Sequence, residues 1–86
     1  MRVQVLFFGG LREILACHHT VAECGGDQAS LATVTSQIEQ RFPKLRDFAG
    51  NTRLALNEEF LSDDELGTTQ LRDGDVLAYI PPVSGG

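Results

Sequence analysis

Positive charge is scarce in this sequence. Seven Lys and Arg stand against twelve Asp and Glu, for a net charge of −5, and Lys44 is the only lysine. A nucleic-acid binder needs a basic face to neutralise phosphates, so that class is set aside; a basic protein partner remains compatible. Long apolar runs are missing as well. The stretch "VQVLFF" near the start falls far short of the ~20 residues of a membrane span. It also lacks the long apolar centre and small-residue cleavage site of a signal peptide. With two cysteines and no secretory signal, the expectation is a cytoplasmic chain with reduced thiols and no membrane association.

Other absences narrow the chemistry. No CxxC is present, which removes a dithiol redox role. Cys17, His18, His19 and Cys24 form no metal set, because neighbouring side chains on a strand point to opposite faces and no second CxxC or HxxxH supports them. Gly9-Gly10 and Gly25-Gly26 belong to neither GxGxxG nor GxxxxGK[ST] and read as turns. No nucleophile elbow marks a serine hydrolase. Asp63-Asp64-Glu65 lacks the alternation of an EF-hand loop and reads as a solvated acidic loop. With neither repeats nor low-complexity segments, one domain is expected over residues 1–82, followed by a flexible tail, residues 83–86.

What is present has a clear order. "RVQVLFF" alternates, with Val3, Val5 and Phe7 on one face and Gln4, Leu6 and Phe8 on the other, which predicts a strand ended by Gly9-Gly10. Leu11, Ile14 and Leu15 predict a short helix. "HHTVAEC" predicts a second strand closed by Gly25-Gly26. Ser30 is the N-cap of the main helix, whose apolar stripe is Leu31, Val34, Ile38 and Phe42 and which Pro43 ends. "TRLAL" and "EFL" read as short strands about Asn57-Glu58, and "DDELGTTQLRDGD" as a polar connection with a tight turn at Asp73-Gly74. "VLAYI" is the last strand, ended by Pro81. The first and last strands are the most apolar. They are expected to pair in the same direction at the sheet centre, since the helices act as crossovers. The fold class is α+β: a β-grasp, ubiquitin-like roll, with a mixed sheet and one main helix on one face.

The ending "PPVSGG" follows directly on that last strand. Gly85 and Gly86 present only backbone and can thread a channel that any side chain would block. The carboxylate of Gly86 is a poor acyl donor until ATP adenylates it. It can then accept sulfur, giving a thiocarboxylate, or an amine, giving a conjugate. Pro81-Pro82 stiffens the root and lowers the ordering cost of docking. A bare terminus without function is the bland alternative.

"LRDGDVLAYIPPVSGG" and "VQVLFFGGLRE" together resemble the two ends of the small, sulfur-carrying subunits of molybdopterin synthase, the MoaD-type branch of the ubiquitin-like β-grasp family. Residues 17–70 match that family in element order more than in residues. The resemblance implies that Gly86 is adenylated by an E1-like enzyme using ATP and magnesium, then sulfurated to a thiocarboxylate, with Gly85 as its thin neighbour. It implies no permanently bound cofactor and no catalytic machinery in the chain alone. The implied partner is the large catalytic subunit, in a heterotetramer of two small and two large chains. There the sulfur passes to cyclic pyranopterin monophosphate. Other readings stay open: a sulfur carrier for thiamine synthesis or tRNA thiolation, a ubiquitin-like modifier, or a plain interaction domain. For a modifier, Lys44 is the sole lysine on which a polymer could grow. Phe8, Phe60 and Ile80 are expected to point away from the main helix and, with Pro81 and Pro82, to form a docking patch beside the tail, unless the short helices cover them. Phe7, Leu77 and Tyr79 are expected to point inward.

Overall fold

The computed structural model describes residues 1–48 and 50–82. Strand β1 (Arg2–Phe7) follows its alternation: Val3, Val5 and Phe7 are buried while Arg2 and Gln4 are exposed. Strand β7 (Val76–Ile80) lies beside it in parallel, with Gln4 opposite Val76 and Phe7 opposite Tyr79. This pair forms the middle of a five-stranded sheet. Strands β2 (His19–Glu23) and β4 (Arg53–Leu56) flank it antiparallel, and β5 (Glu59–Phe60) closes the edge. A turn at Asn57 and Glu58, both at positive φ of 50° and 73°, joins β4 to β5, the left-handed pair that a two-residue hairpin requires. Asn57 holds it in place: its Nδ2 donates to Asp75 Oδ1 at 3.1 Å, and Val76 N donates to its Oδ1 at 2.9 Å.

The main helix, α2 (Leu31–Arg41), begins at Ser30, whose Oγ accepts from Thr33 N at 3.1 Å. Leu31, Val34 and Ile38 bury the expected stripe in one core with the inward side chains of β1 and β7. Phe42 sits at the C-cap rather than within the helix, partly buried, its ring edge-on to Phe7 at 5.3 Å. Pro43 ends α2 as expected, but the chain continues at once as a 3₁₀ helix, Pro43–Phe48, that buries Leu45. The short helix α1 (Leu11–Leu15) buries only Leu11; Ile14 is 37% exposed, so the expected three-residue stripe is too wide for five residues of helix.

The segment read as a polar connection is not one. It contains α3 (Asp63–Leu66) and β6 (Gln70–Arg72), and β6 pairs antiparallel with the equally unforeseen β3 (Gln28–Ser30) as a separate two-stranded sheet. The acidic run Asp63-Asp64-Glu65 is the first turn of α3 and not a loop. A capping box builds it: Ser62 N donates to Glu65 Oε1 at 2.9 Å, and Glu65 N donates to Ser62 Oγ at 3.4 Å. The Ser62 backbone N–H first, and the Ser62 side chain second, favour the charged form of Glu65 and hold its carboxyl below the usual carboxylate range. One apolar residue in β6, Leu71, reaches the core and is 0% exposed. The expected turn at Asp73-Gly74 is present, with Gly74 at φ +87°. No helix among the described residues is long and apolar enough to cross a membrane. A mixed sheet with a parallel central pair and one main helix across one face is the β-grasp roll.

Leu71 tests the role of the segment that looks polar. Leu71→Ala is expected to lower the unfolding free energy by about 2–5 kcal/mol, the range for a fully buried leucine. Urea unfolding measures it; a loss well below ~1 kcal/mol would show that β6 adds nothing to the core.

Candidate functional site

The sheet face opposite α2 carries the second side-chain set of the central strands. Leu6 and Phe8 from β1 and the residue after it, Val76, Ala78 and Ile80 from β7, Ala55 from β4 and Phe60 from β5 line one shallow groove of about 480 Å³. Period-two alternation on parallel neighbours aligns these residues, so the sequence that buries Val5, Phe7, Leu77 and Tyr79 inward must present the others outward. Phe8, Phe60 and Ile80 are thus brought together, and the short helices do not cover Phe60, which is 50% exposed. Ala55, at 5% exposure, forms the floor and lies outside the main core cluster. An exposed apolar concavity of this kind is the candidate site of the domain.

Two guanidinium groups border the groove. Arg53 stands 4.0 Å from the ring centroid of Phe60, and its backbone is in register with Ile80. Arg12 stands 5.2 Å from the ring of Phe8 and donates through Nε to Phe7 O at 2.9 Å. Such stacking fixes the rings and lays the aliphatic stems along apolar surface.

The chain leaves the sheet at the end of this groove. Phe8 N donates to Tyr79 O at 3.1 Å, extending the parallel ladder by one step. Pro81 is partly buried against Gly9, and Pro82 is exposed. A methyl group at Gly9 would sit 3.0 Å from Pro81 Cγ, and Gly9 is at φ +57°. Gly9 therefore does more than end β1: it makes the space in which the root of the tail is held. Sequence reasoning assigned Gly9-Gly10 only to a turn. The available signal was that a glycine followed one central strand where a proline followed its parallel neighbour. Gly85 and Gly86, the expected reactive pair, lie outside the described residues, as does the rest of the stretch 83–86.

The thiols and histidines are not gathered. Cys17 and Cys24 are free and partly buried. Cys17 Sγ donates to His19 O at 3.3 Å, while the His19 ring faces Gln4 Oε1 at 3.0 Å. Among the described residues no three His, Cys, Asp or Glu side chains converge on a common point.

A second cavity, of about 460 Å³, was not anticipated. It lies on the α2 side, with Leu31, Thr35, Glu39, Leu45, Leu54 and Tyr79 among its walls. Tyr79 is buried as expected, but its Oη has no hydrogen-bond partner among the described residues. Burial first, and the charge of Glu39 second, push its phenol well above the ordinary range.

The parallel central pair and the single long helix packed across one face of the sheet define a ubiquitin-like β-grasp domain. The chain belongs to the ThiS family, whose model matches residues 5–86. A curated relative, the molybdopterin synthase sulfur carrier subunit of Mycobacterium tuberculosis, is 36% identical over 100% of this chain and 99% of its own length. Among solved structures, SAMP1 from Haloferax volcanii superposes with a TM-score of 0.80 at 26% identity, covering 100% of both chains. A chain in the protein–protein complex of subunits 1 and 2 of molybdopterin-converting factor from Helicobacter pylori matches with a TM-score of 0.68 at 29% identity, again over 100% of both.

Tyr79 makes the structure sensitive to alkali. The unfolded chain loses the phenolic proton near pH ~10, whereas the folded chain retains it, so its stability is intact below that pH and falls above it. The slope is expected to approach about 1.4 kcal/mol per pH unit. Tyr79→Phe is expected to flatten it and to cost less than ~1 kcal/mol at neutral pH, because the lost hydroxyl has no partner among the described residues. Urea titrations across the alkaline range check this; an unchanged slope would show that Tyr79 ionises freely in the folded state.

Proposed function

We propose that this chain is the sulfur carrier of a cytoplasmic molybdopterin synthase. Gly86 is the carrier residue. An E1-like enzyme joins its carboxylate to AMP at the expense of magnesium ATP and releases pyrophosphate. A sulfur donor then displaces AMP to leave a thiocarboxylate. The carrier docks on the large synthase subunit, in an assembly of two small and two large chains, and delivers its sulfur to cyclic pyranopterin monophosphate.

The observation that carries this reading is the coupling of the tail root to an exposed apolar groove. Pro81 is seated against Gly9 at the end of the groove lined by Leu6, Phe8, Ala78, Ile80 and Phe60. A partner that covers the groove therefore receives the residues after Pro82 at a defined place on its own surface. The end of the tail can enter a narrow channel because Gly85 and Gly86 have no side chains. The full-length likeness to a sulfur carrier subunit and to a chain in the complex of subunits 1 and 2 of a molybdopterin-converting factor supports the choice of pathway and partner. The catalytic groups for adenylation and for transfer to the pterin reside in the partners; this chain contributes the acyl group, its root and the docking face.

Incubation with a cognate activating enzyme, magnesium ATP and a sulfur source is expected to shift the intact mass by the exchange of one oxygen for sulfur, with the change mapped to Gly86. Gly86→Ala is expected to react at least tenfold more slowly, since a methyl group crowds the site where the carbonyl must lie. If the wild-type chain forms an isopeptide bond to a lysine and never a thiocarboxylate, a protein-modifier function replaces this one.

A further inference from the structure

The groove on the outward sheet face is apolar except at one end. Among the described residues that line it, Glu58 is the single charged one. Its carboxylate makes neither a hydrogen bond nor an ion pair among the described residues. The two guanidinium groups that border the groove stand at the other end. Arg53 is in register with Ile80, and Arg12 lies over the ring of Phe8, whose backbone bonds Tyr79. Glu58 follows Asn57, whose N donates to Val76 O at 2.8 Å. From Val76 to Ile80 the strand rises ~3.3 Å per residue, so about 13 Å separates the acidic end of the groove from the cationic end.

The backbone at this position is unfavourable for a glutamate. Glu58 lies at φ +73°, the second of the two left-handed residues in the turn between β4 and β5. A side chain in that conformation crowds its Cβ against a carbonyl oxygen, and glycine is the residue that the second position of such a turn favours. Asn57, at the first position, repays its own left-handed backbone through the bonds to Asp75 and Val76. Glu58 has no such bond to hold the turn. Nor does the surface need a further carboxylate for solubility, because the net charge is already −5. Strain of this kind persists where the side chain serves a function.

Building on the docking described under the proposed function, we propose that Glu58 is a specificity-determining residue of the docking face, there to receive a lysine or arginine side chain of the large subunit. When a partner covers the groove, the carboxylate loses its water. An unpaired carboxylate buried against apolar side chains opposes association, so a surface without a cation at that place is rejected. A guanidinium fits best, because it meets both carboxylate oxygens at once. With Arg12 and Arg53 at the other end, the groove also has a direction. The partner seats with its cation toward the turn between β4 and β5. Turned the other way, that cation meets two guanidinium groups and leaves Glu58 unpaired. One carboxylate thus selects the partner and the way it lies relative to the tail root.

The test sets stability against affinity. Full-length wild type, Glu58→Gly and Glu58→Gln are compared by thermal unfolding and by calorimetric titration with the purified large subunit. Glu58→Gly relieves the left-handed strain and is expected to raise the thermal midpoint by roughly 2–6 °C. The same variant is expected to bind the large subunit about tenfold or more weakly. Glu58→Gln keeps the shape and the backbone and removes only the charge, so its midpoint is expected to match wild type while its affinity falls to a similar extent. A merely structural role would make affinity follow stability; here the two move in opposite directions. An affinity of Glu58→Gln within about twofold of wild type, or a midpoint of Glu58→Gly no higher than wild type, overturns the proposal. If the wild type itself does not bind, the docking reading is refuted and the proposal falls with it; wild-type binding that Glu58→Gln leaves unchanged refutes the proposal alone.

Discussion

The parallel pairing of β1 with β7 is the contact on which the rest of the molecule depends. It joins the two ends of the chain at the sheet centre, and its register, Val5 with Leu77 and Phe7 with Tyr79, decides which side chains face α2. Because side chains alternate, that same register places Leu6, Phe8, Ala78 and Ile80 together on the opposite face. Core and groove are two consequences of one alignment. A slip of one residue would exchange them, exposing the core set and burying the groove set. The pairing also sets Gly9 beside Pro81, so the point at which the tail leaves the domain is fixed by the most buried ladder in the structure.

The outward face is divided along its width. Toward β2 it is polar: His19 meets Gln4, and Arg2 meets Glu23 at 3.3 Å in an exposed pair that adds little stability. Toward β4 and β5 it is apolar, with Ala55 as a floor and Phe60 as a wall. A small domain gains nothing in solubility from an uncovered aromatic ring on an edge strand. The arginine stack over Phe60 and the hairpin tied by Asn57 hold that ring in one place. A preorganised surface of this kind lowers the ordering cost of docking. The proposed carrier role would draw on such an arrangement, because the seat of Pro81 on Gly9 fixes where the chain leaves the sheet.

Much of this was legible in the sequence. The alternation of "RVQVLFF" and "VLAYI" identified the central strands and both of their faces, and the Ser30 cap with its apolar stripe identified α2. Phe8, Phe60 and Ile80 were assigned to the outward face on alternation alone, and the structure brings them into one groove. Features that rest on single residues or on tertiary partners were not legible. Leu71 alone cannot form a period, so β6 passed for a loop until β3 was seen beside it. Four residues of α3 carry no amphipathic stripe, although Ser62 and Glu65 did spell a capping box. The seat of Pro81 on Gly9 and the burial of the Tyr79 hydroxyl depend on neighbours far apart in the chain.

The most direct test of the docking account is a map of the surface that a molybdopterin synthase large subunit covers. Methyl and amide NMR of the labelled full-length chain, titrated with the unlabelled large subunit, locates that surface without altering any residue. The largest perturbations are expected at Leu6, Phe8, Gly9, Ala55, Phe60, Ala78 and Ile80, with α2 and the Tyr79 cavity little changed. Perturbations concentrated on α2 and the 3₁₀ helix, with the groove signals unmoved, would contradict the claim that the face beside the tail is the one that docks.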